Sequence, residues 1–255
     1  VARRTPALQR GLDILELFTD GRESVSAPEV VAELGLPRTT VHELLHTLSA
    51  RHYLTRHPEI PGRYRPGLQL FRLGSAYTDG LDLPTLGREA AREMVEECNE
   101  TSHVAVLDGA HVVYLAKVDS SHAVRMVSSL GRRLPAHCTA LGKVLLAALP
   151  DEEVLRRLGR ERLEPMSADS ITDPGELVHE LAGVRESGSA VEVCAANPDV
   201  SCVSAPVRDR TGQVVAALSI SVPQYRWSDE RCARLRELVR DGARRFSLRL
   251  GASGA

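Results

Sequence analysis

Between residues 101 and 224 the only aromatic residue is Tyr114, so nearly half of the chain offers little for stacking on a flat ligand. The five cysteines are an odd number with no C-x-x-C pair, which fits neither a disulfide framework nor a zinc ribbon. No apolar run approaches the length of a membrane span, and no positively charged segment precedes an apolar stretch at the N-terminus. There are no internal repeats, and no low-complexity segment beyond the small-residue tail 251–255. These absences lead to the expectation of a reduced, cytoplasmic protein without membrane contact. What is present is ordinary for a globular protein: 43% hydrophobic and 26% charged residues, a net charge of −2, and 255 residues, enough for a small domain and a medium one.

Charge becomes informative when it is located. Residues 36–72 hold six arginines against Glu43 and Glu59, a net of +4, with four histidines besides. Residues 1–35 hold four arginines against six acids, a net of −2. In the basic stretch, Val41, Leu44, Leu45 and Leu48 recur at helical spacing, so one helix face is apolar and the other is free to meet a partner. Arg38, His42 and His46 lie on that free face at i, i+4 and i+8, beside Thr39, Thr40 and Glu43. Pro37 suits a first helical turn. An arginine-punctuated hairpin follows and ends at Gly62, Arg63, Tyr64 and Arg65. A polar helix face beside a basic hairpin is what a winged helix-turn-helix uses to enter a major groove and grip the flanking phosphates.

His42, Glu43 and His46 also satisfy the H-E-x-x-H pattern of zinc hydrolases, with His52 where a third ligand would fall. The extended form of that motif needs glycine at position 49, which is Ser49 here, and the apolar period through Leu48 carries the helix onward. Only 41 residues precede His42, too few for a substrate cleft. A zinc metallohydrolase therefore stands as the alternative, together with a small-molecule sensor lacking DNA binding.

Upstream, Leu8, Leu12, Ile14, Leu15 and Phe18 form an amphipathic helix ending near Gly21. Ser26, Pro28 and Glu29 read as a capping box opening a short second helix, which Gly35 stops. Downstream, 67–80 reads as a linker helix with much apolar surface, and Leu83–Cys98 as a further helix. From Thr101 the pattern turns to strands: 103–107 and 111–117 around Asp108 and Gly109 form a hairpin signal, and 124–127 suggests a third strand. Apolar helices are expected at 139–149 and 173–186, strands at 189–193, 201–207 and 214–222, and a last helix from the cap Ser228 to about Leu250. Hairpin strands with helices packed at their ends give an α+β domain around an antiparallel sheet.

The chain resembles the IclR family of bacterial transcriptional regulators over essentially its whole length. The matching pieces are 7–15, 36–42, 62–65, 73–77, 131–143, 171–173, 200–203, 205–209 and 218–221, specific in this order and spacing. The resemblance implies two domains: a winged helix-turn-helix at 1–66, then a linker helix at 67–81 and a GAF-like effector-binding domain at 82–250, before the tail 251–255. It implies a homodimer or dimer of dimers on double-stranded operator DNA, with activity changed by a small molecule; repression is expected ahead of activation. No catalytic residue, cofactor or metal is called for. The DNA-contacting set is Ser26, Arg38, Thr39, Thr40, His42, Glu43, His46, Arg63, Tyr64 and Arg65. Carried over position by position, the effector pocket is lined by Met126, Ala140, Leu141, Gly142, Glu192, Cys202, Ser219 and Ser221. Two positions depart from the family pattern. Glu43 stands where a basic residue is common, and His52 where a helix end favours a left-handed residue and glycine is usual.

The residues themselves say something about that pocket. Free N–H groups at the start of the helix near Ala140 would attract an anion, and small residues let a ligand approach. Ser219 and Ser221, two apart on a strand, point to one face. With so few aromatics nearby, the expected effector is a small polar or carboxylate-bearing metabolite.

Overall fold

A computed structural model provides the structure of the chain and describes residues 5–19, 21–78, 83–123, 129–159 and 161–252. Among the described residues no helix is long and apolar enough to cross a membrane. The chain divides into two units, 1–81 and 82–255.

In the first unit, α1 (Pro6–Glu16), α2 (Ala27–Leu34) and α3 (Arg38–Ala50) pack around Ile14, Val30, Val41 and Leu45, all fully buried. Pro6 occupies the first turn of α1, where no N–H partner is lost. Ser26 caps α2 from extended backbone, and the Glu29 carboxylate reaches back to accept from the Ser26 N–H at 2.7 Å. Pro37 is the N-cap of α3 and so stands one step before the helix, not in its first turn. At the far end His52 adopts φ 60°, the left-handed conformation expected of a residue closing a helix. Two strands, β2 (Leu54–Arg56) and β3 (Arg63–Pro66), form the expected hairpin; a third, β1 (Val25–Ser26), pairs with β3 and was not anticipated. Two residues carry too little alternation to be read as a strand. Gly67 then joins the hairpin to α4 (Leu68–Thr78): a β-carbon there would lie 2.2 Å from the His52 carbonyl oxygen, so only glycine lets the segments approach.

The second unit is a six-stranded antiparallel sheet of β4 (Thr101–Asp108), β5 (His111–Val118), β6 (Arg133–Pro135), β7 (Ala190–Val193), β8 (Val200–Arg208) and β9 (Val214–Pro223). Their spatial order is β6-β5-β4-β9-β8-β7. Side-chain alternation divides the core in two. Val104, Val203, Leu218 and Ile220 face α5 (Leu83–Cys98) and α9 (Asp229–Arg249), meeting Met94, Val239 and Phe246. Ala105, Tyr114 and Ala217 face α6 (Ala140–Ala147) and α8 (Pro174–Ser187). Helices thus cover both faces of the sheet instead of packing at strand ends, because strands such as β9 are buried on both sides. Both β6 and α7 (Asp151–Leu158) were missed. The strand expected at 124–127 lies outside the described residues, as does part of the tail.

Candidate functional site

Two places gather the expected residues. The first is the outer face of α3. Burial of Val41 and Leu45 against α1 and α2 fixes the rotation of the helix, so Arg38, Thr39, His42, Glu43 and His46 are exposed together, with Thr40 half-buried at the edge. Thr47 Oγ1 donates back to the Glu43 carbonyl at 2.8 Å and keeps this face tied down. On the neighbouring hairpin Arg65 is exposed and pairs across the strands with Thr55, while Tyr64 is half-buried against the three-helix core.

Arg63 is placed differently from the expectation. Its Nε donates to Ser24 Oγ and its Nη2 to the Ser24 carbonyl, each at 2.8 Å, and its Nη1 to Glu29 at 3.0 Å. It clamps β3 to the start of α2 instead of extending from the hairpin. Glu29 is held below the usual carboxylate range, first by the Ser26 N–H and then by Arg63. Ser26 is half-buried in the same junction. The histidines of the H-E-x-x-H pattern stand on the exposed α3 face, and among the described residues no group of three or more His, Cys, Asp or Glu side chains could hold a metal ion.

The second place is a pocket between the sheet and the start of α6. Tyr114, Glu192, Cys202, Ser219 and Ser221 form its floor from four strands, and Thr139, Ala140 and Leu141 its roof; Ala196, Asn197 and Val200 close one side. Its free volume is about 20 Å³, room for a single water molecule. Glu192, Cys202, Ser219, Ser221, Ala140 and Leu141 are thus brought together as expected; Met126 lies outside the described residues. Gly142 is not on the lining. Its open side faces the short turn 136–138, where an added β-carbon would lie 2.0 Å from the Ala136 oxygen. Its N–H is taken by Thr139 Oγ1 at 2.9 Å, the N-cap of α6. Thr139 immediately before an apolar helix was the sequence signal for that cap, and it was not used.

Among the described lining residues the charge is one-sided. The Glu192 carboxylate, 2% exposed, accepts from the N–H of Ala196 at 3.1 Å and from that of Ala195. Burial raises its pKa, and the two amides oppose that shift. The Cys202 thiol donates to Ser221 Oγ at 3.3 Å, and Ser221 Oγ lies 3.4 Å from His103 Nδ1. Burial, with Lys117 nearby, pushes the His103 pKa down to about 3, so the ring is neutral at physiological pH. It packs on Tyr114 with centroids 4.8 Å apart. Ser219 Oγ is buried with no hydrogen-bond partner among the described residues. The nearest lysine on α6, Lys143, is buried and paired with Glu180 at 2.6 Å. His103 and Tyr114 were not among the expected pocket residues; for Tyr114, the irregular pairing opposite Val104 and Ala105 leaves Leu115 as an extra residue on β5 and breaks that strand's alternation.

Both units match known proteins. Residues 7–58 match the model of the IclR helix-turn-helix domain, and residues 75–248 that of the bacterial transcriptional regulator IclR C-terminal domain. The HTH-type transcriptional regulator XynR of Escherichia coli K12 is 31% identical over 245 residues, covering 96% of this chain and 97% of XynR. The HTH-type transcriptional repressor AllR of the same organism is 32% identical, over 96% of this chain and 90% of AllR. The crystal structure of an IclR homolog from Microbacterium hydrocarbonoxydans complexed with 4-hydroxybenzoate superposes with a TM-score of 0.82 at 27% identity, covering 97% and 100% of the two chains.

Proposed function

The chain belongs to the IclR family of bacterial transcriptional regulators and is a DNA-binding regulator, not an enzyme; we propose that it represses a metabolic operon in the cytoplasm and releases its operator on binding a small metabolite. In this reading residues 1–66 are a winged helix-turn-helix, 67–81 a linker helix, and 82–250 a GAF-like effector domain. The observation that carries it is the exposed row Arg38, His42 and His46 on α3, opposite Val41 and Leu45, with Arg65 on the adjoining hairpin. Such a helix sits in a major groove while the hairpin arginine meets phosphate. Glu43 on the same face accepts from a cytosine amino group and repels phosphate, so it restricts sequence. The exposed apolar side chains of α1 and α4, Leu8, Leu12, Leu68 and Phe71, suit pairing with a second copy, as a homodimer or dimer of dimers. The effector takes the pocket floored by Ser219 and Ser221, and a small carboxylate is the class we favour. The relative bound to 4-hydroxybenzoate takes an aromatic acid, whereas Tyr114 is the one aromatic residue lining this pocket among the described residues.

The test is fluorescence anisotropy on a DNA fragment from the gene's own upstream region at several salt concentrations. Arg38→Ala should weaken binding by about 1–3 kcal/mol if the residue reads a base, or flatten the salt slope by about one if it meets phosphate. Unchanged affinity and slope would remove α3 from the interface. A wild-type protein with no preference for its upstream DNA would leave a sensor without an operator.

A further inference from the structure

The turn that joins β2 to β3 is built more firmly than its exposure suggests. Residues 58–62 are all exposed, and the turn 57–62 contains no lysine or arginine; Glu59 is its one acid. Its large exposed apolar side chain is Ile60, set between Glu59 and Pro61 and 46% exposed. Yet both ends of the turn are tied. The His57 N–H donates to the Arg63 carbonyl at 2.8 Å. The His57 ring takes the next amides: its Nδ1 accepts from the N–H of Glu59 at 3.2 Å and from that of Ile60 at 3.1 Å. As an acceptor that nitrogen carries no proton. On the far side the Arg63 N–H donates to the Ile60 carbonyl at 3.3 Å. Pro61 and Gly62 lie between them, with Gly62 at φ 80°, the sequence and conformation of a type II turn. The Arg63 side chain meanwhile clamps β3 to Ser24 and Glu29 at the start of α2. One residue therefore closes the turn through its main chain and fixes it to the helical core through its guanidinium.

We propose that Ile60 reads the minor groove of operator DNA and that His57 is the positioning residue that presents it. The inference rests on the reading of α3 and the hairpin as the DNA-binding surface. With α3 in a major groove, the hairpin beside it meets the flanking backbone and the groove next along. Arg56 and Arg65, exposed on the strands, supply cations for phosphate, and the turn between them has none to offer. Its chemistry suits the floor of the groove instead. Apolar side chains enter the minor groove, where A·T pairs show only acceptors and G·C pairs add the N2 amino group of guanine. Ile60 has nothing to accept from that amino group. A G·C pair beneath it would bury an unmet donor, so A·T is favoured. Glu59 repels the phosphates on the groove walls, and the turn thus adds selectivity more than affinity. That selectivity needs the side chain held in place before DNA arrives. A turn already ordered by His57 has little freedom left to lose on binding.

Fluorescence anisotropy with the full-length protein and synthetic duplexes of the gene's upstream region tests this. One duplex is natural. In the other every adenine is replaced by 2,6-diaminopurine, which adds an amino group in the minor groove and leaves the major-groove edge of the pair unchanged. Wild-type protein should bind the substituted duplex about fivefold or more weakly, and Ile60→Ser should bind the two within about twofold of each other. His57→Leu should lose the discrimination as well. His57→Asn, whose side-chain oxygen can accept from the amide two residues on, should keep it. The ratio of affinities does not depend on the folded fraction, so an unstable His57→Leu protein cannot imitate the result. A wild type indifferent to diaminopurine, or full discrimination surviving in Ile60→Ser, would overturn the role of Ile60. Full discrimination in His57→Leu, or its loss in His57→Asn, would overturn that of His57. Arg38→Ala separates this inference from the reading beneath it, since it should weaken both duplexes alike. Loss of affinity in Arg38→Ala with no diaminopurine effect in wild type keeps α3 in the groove and removes Ile60; a wild type with no preference for its upstream DNA removes both.

Discussion

Gly142→Ala is a small substitution with a large expected effect, and the reason lies in one contact. The new methyl would meet the Ala136 backbone at 2.0 Å from its oxygen, 2.4 Å from its Cα and 2.5 Å from its carbonyl carbon. Reaching an ordinary distance of 3.4 Å requires a separation of about 1.4 Å more than the structure provides. The turn cannot retreat easily: Ala136, His137 and Cys138 are buried, Ala136 N donates to the Ala110 carbonyl at 2.9 Å, and His137 is bonded to the Glu164 carbonyl at 3.0 Å. Overpacking of this kind costs about 1–3 kcal/mol or more, and replacing glycine by alanine in a helix returns about 1 kcal/mol. Because the clash is with backbone, the cost lies at the top of that range or above it, and a net loss of about 2 kcal/mol or more corresponds to a fall of at least roughly 4–8 °C in Tm for a unit of this size. Gly242→Ala is the control. Its methyl would meet Met94 Cε and Sδ at 2.5 and 2.6 Å, but these atoms end a flexible side chain that can swing aside. It should lower Tm by much less. Thermal unfolding followed by circular dichroism decides the matter. A Gly142→Ala protein that melts at or above wild type, or a Gly242→Ala protein that is the weaker of the two, would refute the reasoning.

Arg63→Ala removes the clamp on Ser24 and Glu29, so it should destabilise the first unit by about 1–2 kcal/mol, given that the side chain is partly exposed. Its DNA affinity should fall on all sequences with the salt slope unchanged, whereas Arg65→Ala should flatten the slope by about one; the reverse pattern would put Arg63 on the phosphates. His103 supplies a pH dependence. The ring resists protonation to about pH 3 when folded and accepts a proton near its ordinary value of 6.5 when unfolded. Between those values the unfolded state binds more protons, so stability falls as pH falls, by up to about 1.4 kcal/mol per pH unit. Glu192, raised by burial, contributes the opposite sign above the usual carboxylate range. Comparing urea unfolding of wild type and His103→Gln isolates the histidine: the variant should lose this acid sensitivity, and equal slopes would count against a neutral buried ring.

The head of the chain was legible because its signals are local. Ser26, Pro28 and Glu29 specify a helix start from adjacent residues alone, and the 3.6-residue period of Val41, Leu45 and Leu48 determines which side of α3 is left outside. The clamp that Arg63 makes was hidden for the opposite reason. Its partners Ser24 and Glu29 lie 39 and 34 residues away and meet it only because β1 pairs with β3, a two-residue contact that sequence does not announce. An arginine in a basic hairpin looks the same whether it faces DNA or a neighbouring helix cap. The strands of the second unit were legible in place but not in surroundings. An apolar strand buried on both faces says that something covers each side without saying what, so helices on both faces were read as helices at the ends.

The pocket shows where the same limit reaches chemistry. Ser219 and Ser221 are the same residue type on one strand, both pointing to one face, and nothing in their immediate sequence separates them. Their neighbours do. Ser221 stands opposite Cys202 and within reach of His103, so its hydroxyl enters a chain of hydrogen bonds. Ser219 stands opposite Ser204 on one side and His103 on the other, yet the Ser204 hydroxyl goes to the Leu218 carbonyl and the Ser219 hydroxyl is left without a partner among the described residues. A ligand group that could bond to either would compete with an existing bond at Ser221 and meet an unmet one at Ser219. Since satisfying a buried orphan recovers more free energy than exchanging one partner for another, Ser219→Ala should weaken effector binding more than Ser221→Ala. Calorimetry with lactate measures both losses, and a larger loss in Ser221→Ala would mean that the ligand enters the Cys202–Ser221–His103 chain instead.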